Sequence, residues 1–523
     1  MDIKLRADKW VTNNKDIKIT DTDDGIKVEY LSDKSYDYIH YEKLRTFSSY
    51  SNKDLFDIKK GTIYNIIFDG YSEGECSCNL FINTYSKQKQ LSNNYVSLGK
   101  ELEILIDKEV ESYKIAIRFQ GKGCVYINNI DIKEGITEKA FNIVEQPEEK
   151  YILVTNIYPS KNNLYRNMFV HRRVKLYKQY GLNVDVLSLD TKSKQVSRDN
   201  FDGVDIIRGN YEVLEKVLKK TKYKKILIHF IMKEMIDVID KICYNTPRIV
   251  WLHGFEAMKW NRRIFNYTDE EILNNYRMWN ERDRIKLRFL DQIYKDDRYT
   301  FIPISNWLKS SCCEIDARCK IKNSYVIPNV IDENLFKYNQ KNEDDRLKIL
   351  SIRPFVANNY ANDLTVNAIL ELSKKDFFYE LQFNIYGEGK LFKEITEPIK
   401  HFVNIHLYEK FITQEEIANL HKTHGIFLCP SRLDTQGVSM CEAMSSGLVC
   451  ISNNVAAISE FLIDRKCGIL ARENDYFDIA DAIEYLYYNK DIFLNMSKNA
   501  SLYIRQKCGI ESTVKKEIEI ITT

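Results

Sequence analysis

The stretch that most constrains the fold of this chain is the run from Gly425 to Gly447. It opens with Gly425–Cys429, an apolar run of strand length, which predicts a buried parallel strand. A loop follows, and Val438–Ser446 then predicts a helix. Ligands of α/β sheets bind in the crevice at the carboxyl ends of such strands. We therefore expect an α/β fold with a ligand site at this strand-to-helix connection.

Two acids occupy this connection, separated by seven residues. Asp434 lies on the loop, and Glu442 lies in the first turn of the helix, three residues after Ser439, which is the capping-box spacing with Ser439 as N-cap. Gly437 lets the backbone approach a ligand closely, and the helix N-terminus offers free N–H groups to an anion. The stretch thus predicts two carboxylates beside a phosphate cradle. The alternative is a helix cap and a solvated loop acid.

The pattern resembles the acid-x7-acid motif of family 4 glycosyltransferases, which are retaining enzymes of the GT-B fold. The family usually has Glu at the first position, where this chain has Asp434. The segment Val326–Asp332 is similar to the one that joins the two halves of these enzymes. The resemblance covers about residues 150–505 and is strongest between Arg353 and Phe461. The flanks of the motif that also match are Pro430-Ser431, Glu442-Ala443-Met444-x-x-Gly447 and Ala457–Phe461.

The order of predicted elements divides the chain into parts. Residues 1–145 carry short alternating segments between turn residues, which predicts an all-β sandwich domain similar to carbohydrate-binding modules. Its role is either glycan binding or that of a scaffold or oligomerisation domain. Residues 150–335 and 336–505 alternate apolar strands with helices, which is typical of two Rossmann-like domains. The resemblance makes these the acceptor and donor halves of a GT-B enzyme, with residues 506–523 as a C-terminal tail that crosses back to the first half.

Composition and charge narrow the function further. The net charge of +2 over 523 residues does not favour nucleic-acid binding. The 12 scattered cysteines lack zinc-ligand spacing, which indicates reduced thiols. The N-terminus has no signal-peptide apolar segment, and no apolar run is long enough to span a membrane. We therefore expect a cytoplasmic protein with at most peripheral contact at the inner face of the membrane. Six lysines between residues 216 and 225 could make that contact, and a solvated helix face is the alternative.

The resemblance implies a nucleotide-sugar donor, whose leaving diphosphate needs a metal or fixed cations and helix N-termini to stabilise it. The sequence shows no convincing metal-ligand cluster, so we expect no cofactor and no metal requirement. Arg353 matches the Arg of the Arg/Lys pair that binds the diphosphate in this family. The usual Lys is absent, since Asn358 and Asn359 occupy its neighbourhood, and Lys390 is the substitute that we consider.

Further roles follow residue by residue from the resemblance. Glu442 would accept hydrogen bonds from the donor ribose, and Asp434 would orient the donor sugar or stabilise positive charge at its anomeric carbon. His253 is similar to the histidine that contacts the donor sugar near the reacting centre. The loop after the first strand of the acceptor half lacks the glycines often found there, and its Asn162 and Asn163 are acceptor-contact candidates. The remaining donor-contact candidates are Gly387 and the backbone of Gly437, Val438 and Ser439.

The function implied is transfer of a hexose-type sugar to a glycan, a lipid-linked saccharide or a protein. Retention is implied by the family alone. Because no residue is a clear nucleophile, front-face attack with the departing diphosphate as base is the mechanistic hypothesis. The missing Lys motivates an alternative, a non-catalytic carbohydrate-binding or assembly protein on a degenerate GT-B scaffold. A different GT-B enzyme, such as a phosphorylase, is a further alternative, although no cofactor-lysine motif is evident.

Overall fold

The computed structural model describes residues 3–32, 34–42, 62–86, 89–106, 109–134, 149–160, 167–191 and 195–523. The chain divides into two compact units, and the division falls within the strand Asn183–Leu189 and the helix Lys233–Cys243. The first unit comprises Met1–Arg166, Asp185–Tyr223 and Val238–Tyr244, and the second comprises Asn167–Val184, Lys224–Asp237 and Asn245–Thr523.

The first unit begins with an all-β region made of two antiparallel sheets, as the alternating segments predict. Alternate residues of both sheets point into one hydrophobic cluster that includes Tyr30, Phe68 and Phe119. In hydrogen-bonded order, one sheet comprises Trp10–Val11, Asp37–Tyr41, Ser112–Gln120, Ser77–Ser86 and Lys89–Ser97. The other begins with Lys100–Leu105, Ile63–Gly74, Gly123–Glu134, Gly25–Tyr30 and Ile17–Thr22.

The second of these sheets continues beyond the all-β region. Gln195–Phe201 pairs antiparallel with Lys100–Leu105 and with Val204–Gly209. Asn183–Leu189 and Lys150–Thr155 then extend the sheet, and the helix Tyr211–Lys220 follows Val204–Gly209 in the chain. A hydrogen-bonded ladder therefore links the all-β region to the following strands. The domain boundaries stay predictions, as does the resemblance to a carbohydrate-binding sandwich.

The second unit contains two sets of parallel strands. One holds Lys225–His229, Arg248–Leu252 and Tyr299–Pro303. The other has six strands, in the order Ile405–Glu409, Gln382–Gly387, Lys348–Ile352, Ile426–Leu428, Val449–Asn453 and Gly468–Ala471. Alternate residues of the six-stranded sheet, such as Ile349 and Leu350, enter separate hydrophobic clusters on its two faces. Both faces are therefore covered, as apolar runs such as Ile426–Leu428 predict.

Helices cover these sheets. The buried face of Asn362–Leu372 and that of Tyr476–Tyr488 belong to the same cluster. The helices of the second unit are Met168–Gln179, Asp269–Tyr294, Glu314–Ala317, Asn362–Leu372, Phe392–Thr396, Gln414–Thr423, Val438–Ser445, Ile458–Phe461, Tyr476–Tyr488, Lys490–Cys508 and Val514–Thr522. Within the described residues, none of the helices is long and apolar enough to cross a membrane.

The last helix, Val514–Thr522, packs on Met168–Gln179, the helix that opens the second unit. The carboxylate of Glu517 is fully buried and accepts hydrogen bonds from Arg173 Nε at 3.0 Å, Tyr177 Oη at 2.6 Å and Trp251 Nε1 at 2.8 Å. Three donors therefore converge on one carboxylate and join the C-terminal helix to the elements that carry Arg173 and Trp251.

Candidate functional site

The strand order of the six-stranded sheet reverses between two neighbours, Lys348–Ile352 and Ile426–Leu428. From Lys348–Ile352 the chain adds its next two strands on one side, and from Ile426–Leu428 it adds the last two on the other. Such a reversal opens a crevice at the carboxyl ends of the strands, where α/β proteins bind ligands. Arg353 directly follows the first strand, and the loop with Asp434 follows the second. The topology therefore brings these sequence-predicted residues to one edge.

Arg353 is held in the crevice by oxygen atoms that carry no formal charge. Its Nη2 donates to Ser431 Oγ at 2.6 Å and to the Pro430 carbonyl at 3.4 Å, and its Nη1 donates to Ser439 Oγ at 3.3 Å. The residue is 4% exposed, and its guanidinium lies 5.1 Å from the ring centre of Tyr360. Within the described residues no carboxylate pairs with Arg353, and its buried Nε has no partner. A buried cation without a counter-ion costs free energy, which an anion in the crevice would recover.

Asp434 shapes the loop that leads into the helix. Its Oδ1 accepts hydrogen bonds from the backbone N–H of Gln436 at 3.1 Å and of Gly437 at 2.7 Å. Gly437 has a φ of +78° and is the N-cap of helix Val438–Ser445, with no side-chain cap. The prediction of Ser439 as N-cap of a capping box was wrong, because the left-handed Gly437 is the N-cap, two residues before Ser439. Ser439 instead accepts from Arg353.

The same loop is bonded to the segment that follows strand Arg248–Leu252. Thr435 Oγ1 donates to the carbonyl oxygen of His253 at 2.8 Å. Gln436 is buried, and its side chain exchanges two hydrogen bonds with the backbone of Asn329, at 2.7 Å and 3.0 Å. These bonds bring His253 and Asp434 into the same neighbourhood. They also fix the loop through hydrogen bonds to residues that are distant in the sequence.

Glu442 lies on the buried face of its helix and pairs with a residue far away in the chain. Arg172 Nη1 donates to Glu442 Oε1 at 2.7 Å, and Arg172 Nη2 donates to Gln414. Burial raises the pKa of Glu442, and the charge of Arg172 opposes that shift. Glu442 Oε2 accepts no hydrogen bond from the described residues. One oxygen therefore anchors the side chain while the other remains available to a ligand hydroxyl.

His253 forms a buried pair with His229. His229 Nδ1 and His253 Nε2 lie 2.9 Å apart, and the rings of Phe169 and Phe230 pack against His253. Burial lowers the pKa of both histidines well below the ordinary value, so both are neutral and one N–H bridges them. His253 Nδ1 is buried without a hydrogen-bond partner among the described residues, so it too is available to a ligand.

The neutral pair predicts a loss of stability in mild acid. The unfolded chain binds protons at His229 and His253 below about pH 6.5, whereas the native state keeps both histidines neutral. The contribution of the pair to the free energy of unfolding is therefore complete above that pH and is lost as the pH falls. Each neutral histidine should steepen the fall in the free energy of unfolding by about 1.4 kcal/mol per pH unit. Measured by urea unfolding, the free energy of unfolding should depend less steeply on pH in His229→Asn than in the wild type. Equal slopes would contradict the prediction.

Comparisons with known proteins bear on the general activity. Residues 346–489 match the family described as glycosyl transferases group 1. An uncharacterized glycosyltransferase of Methanocaldococcus jannaschii is 22% identical over 376 residues, which is 71% of this chain and 90% of that protein. The family match and this relative support glycosyltransferase activity, and the solved structures give the chain the GT-B fold. The comparisons thus favour the enzyme over the non-catalytic binding protein.

The GT-B fold of this chain rests on solved structures. Sucrose-phosphate synthase of Thermosynechococcus elongatus superposes with a TM-score of 0.56 at 14% identity, over 72% of this chain and 98% of that one. The Anabaena protein HepE, in complex with UDP and glucose, superposes with a TM-score of 0.53 at 11% identity, over 72% of this chain and all of that one. At these identities the likeness establishes the fold alone.

The remaining predicted residues occupy different surroundings in the structure. Gly387 ends its strand against the backbone, where a Cβ would lie 2.0 Å from the Arg353 carbonyl oxygen, so a larger residue would displace the segment that carries Arg353. Lys390 is exposed and forms no ion pair among the described residues, and no described contact joins it to Arg353. Val438 is half-buried in the first turn of its helix. Asn162 and Asn163 lie outside the described residues.

Sequence reasoning missed two arginines that the structure places at the site. Arg432 Nη1 donates to the Asn358 carbonyl at 2.9 Å, and its guanidinium forms a two-pronged ion pair with Asp363, the shorter contact being 2.6 Å. Arg432 therefore adds a positive charge near Asn358, where the family Lys is absent. That charge is already paired with the carboxylate of Asp363. The position of Arg432 two residues before Asp434 is the signal that could have identified it. Arg172 offers no comparable signal.

Proposed function

We propose that this glycosyltransferase moves a hexose-type sugar from a nucleotide-sugar to a glycan, a lipid-linked saccharide or a protein, with retention of the anomeric configuration. The observation that carries the proposal is the buried, uncompensated guanidinium of Arg353 at the switch point of the sheet. It supplies a fixed positive charge where a departing diphosphate would develop negative charge. The N-terminus of helix Val438–Ser445 adds backbone N–H groups beside it.

In the proposed reaction, the bond between the anomeric carbon and the diphosphate oxygen breaks while the acceptor hydroxyl attacks from the same face. The hydroxyl proton passes to a departing phosphate oxygen, so no protein base is required. Arg353 stabilises the diphosphate, and the carboxylate of Asp434 stabilises positive charge at the anomeric carbon. Asp434 Oδ2 accepts no hydrogen bond from the described residues, which leaves it available for that role.

Glu442 and His253 would position the two ends of the donor. The free Oε2 of Glu442 would accept hydrogen bonds from the ribose hydroxyls, while Arg172 holds Oε1. His253 Nδ1 would bond a hydroxyl of the transferred sugar, and its neutral state avoids repulsion of positive charge at the anomeric carbon. Because HepE was solved with UDP and glucose, UDP-sugars are the first donors to test. Turnover without an added divalent metal remains an expectation.

The test is release of nucleotide from a panel of UDP-, GDP- and ADP-sugars by the wild type, Glu442→Gln and Asp434→Asn. Glu442→Gln keeps the shape of the side chain but removes a charge-assisted acceptor worth about 1.5–3 kcal/mol, so turnover should fall by roughly 10- to 100-fold. Asp434→Asn keeps an oxygen that can accept from Gln436 and Gly437, so the loop should persist while the charge is lost. A fall in kcat with little change in KM is expected for Asp434→Asn.

Matched controls come from exposed acids that have no ion-pair partner among the described residues. Glu394→Gln and Asp376→Asn carry the same chemical changes on the donor half, away from the crevice. They should turn over the donor at the wild-type rate. Unchanged turnover in Glu442→Gln and Asp434→Asn would overturn the assigned roles. Failure of a folded wild type to bind or to turn over any donor would overturn the proposed function.

A further inference from the structure

A second concave surface, the basic groove, lies along one side of helix Asp269–Tyr294. It has a volume of about 520 Å³, and its lining includes Lys259, Trp260, Arg288 and Arg318. It is open to solvent, and apart from Leu287 and Ala317 its side chains are polar, charged or aromatic. The segment that lines it starts at Lys259, six residues after His253.

The acids that line the groove are already neutralised by cations outside it. Asp283 pairs with Lys286 at 2.9 Å and accepts the backbone N–H of Trp260 at 2.7 Å. Asp316 accepts from Arg262 Nε at 2.8 Å and Nη2 at 2.9 Å. The third acid, Asp291, pairs with Lys295 at 2.6 Å.

The bases that line the groove are mostly unpaired. Arg284 is held by Glu281 at 2.6 Å. Lys259, Arg288 and Arg318 form no ion pair with any described residue. With the acids satisfied from outside, these three charges give the groove a net positive potential. A concave site with uncompensated positive charge concentrates and binds anions.

The groove also offers contacts suited to a sugar. The indole of Trp260 is partly exposed, and its Nε1 donates to Asn280 Oδ1 at 2.8 Å, which fixes the ring. Indole rings carry a large apolar face with a polar edge, which suits the faces of sugar rings. The exposed amides of Asn261 and Asn280 supply donors and acceptors for hydroxyl groups. A polar, recessed surface of this kind suits a chain of sugars better than a lipid bilayer. Helices that enter a bilayer do so with an apolar face.

The groove is also close to the donor crevice. Lys286 donates to the Met258 carbonyl, which fixes the segment between His253 and the groove. The segment Trp260–Asn266 bonds to the donor half, where Asn358 Nδ2 donates to the Phe265 carbonyl at 2.9 Å and Asn359 N donates to Asn266 Oδ1 at 3.1 Å. A chain in the groove would therefore lie beside the elements that flank Arg353.

We propose that the basic groove binds an anionic glycan acceptor, whose phosphate or carboxylate groups pair with Lys259, Arg288 and Arg318 and whose sugar rings contact Trp260. The inference that the bound glycan is an acceptor rests on the proposed glycosyl transfer. The binding itself is measured without donor, so its failure is distinct from failure of turnover.

The test is calorimetric titration of the full chain with three probes: a hyaluronan hexasaccharide, a glycerol-phosphate oligomer and neutral maltohexaose. At low salt at least one anionic probe should bind about 10-fold more tightly than maltohexaose, and its affinity should fall as the salt concentration rises. The triple variant Lys259→Ala, Arg288→Ala, Arg318→Ala should bind that probe at least about 10-fold more weakly.

A matched control removes the same charge elsewhere. Lys393→Ala, Lys466→Ala and Lys498→Ala replace exposed lysines without ion pairs among the described residues, so the triple control should retain wild-type binding. Thermal melts establish that both triples are folded. The proposal would be overturned if maltohexaose and the anionic probes bound equally well, or if neither anionic probe bound. It would also be overturned if both triples lost the same binding affinity. The proposal would also be overturned if the groove triple lost binding to phosphatidylglycerol vesicles but not to the anionic glycan probes.

Discussion

Replacing Arg353 by alanine is expected to lower the kcat for donor turnover by about 100- to 1,000-fold, the size of effect seen when one preorganised donor to a developing oxyanion is removed. Arg353→Lys should recover little of this loss, because the native guanidinium contacts Ser431, Pro430 and Ser439 with two nitrogens at once. Steady-state kinetics on the donor identified in the panel give kcat and KM for each variant.

A second readout separates the proposed role from simple damage to the fold. The charge of Arg353 is buried without a counter-ion, so its removal relieves a desolvation cost and the protein should remain folded. Pyrophosphate should raise the melting temperature of the wild type through binding to the native state, and should raise that of Arg353→Ala much less. Arg282→Ala, an exposed arginine without an ion pair among the described residues, should behave as the wild type in both assays. Equal stabilisation by pyrophosphate in wild type and Arg353→Ala would contradict the anion site.

Replacing Glu517 by alanine is expected to lower the free energy of unfolding by about 3–5 kcal/mol, since it leaves Arg173 as a buried, uncompensated charge. It also removes the acceptor of Tyr177 and Trp251. Urea unfolding followed by circular dichroism should show an earlier first transition. Glu519→Ala changes an exposed acid on the same helix and should leave that transition within about 0.5 kcal/mol of the wild type.

A double variant identifies the cause of the loss. If the unpaired charge of Arg173 is responsible, then Arg173→Met combined with Glu517→Leu should recover much of the stability lost in Glu517→Ala, because apolar replacement of a buried ion pair is often neutral. Equal effects of Glu517→Ala and Glu519→Ala would show that the network does not hold the C-terminal helix in place.

The parts of the site that the sequence predicted are those encoded by local pattern. The apolar run before Pro430 and the helix after Gly437 were visible because burial on both sides of a parallel strand demands continuous apolar residues. The position of Asp434 on the loop after the apolar strand followed from the same pattern, and the role of Arg353 came from the family resemblance. These features depend on residues close together in the chain.

The parts that the sequence did not predict depend on contacts across the chain. Arg172 lies 270 residues from Glu442, and no periodicity or spacing links the two. The pairing of His229 with His253 is likewise a consequence of adjacent parallel strands, Lys225–His229 and Arg248–Leu252. Both contacts need the assembled fold, because helix and sheet packing decides which side chains meet.

The all-β region shows the same limit at sheet edges. The alternating segments of residues 1–145 do not include three strands at the edges of their sheets, Trp10–Val11, Ile17–Thr22 and Lys89–Ser97, nor Asp37–Tyr41 beside one edge. An edge strand has only one neighbour and exposes more of its length, so polar residues replace the alternation that identifies a strand. Strand Lys89–Ser97 is mostly polar for this reason.

The central claim is that the crevice at Arg353 and Asp434 activates a nucleotide-sugar for transfer with retention. The most direct test is a proton NMR time course of donor hydrolysis without acceptor, which reads turnover and the configuration of the released sugar together. An α-linked donor should first yield the α-anomer, and Asp434→Asn and Arg353→Ala should abolish the signal. Initial release of the β-anomer, or undiminished hydrolysis by the two variants, would contradict the central claim.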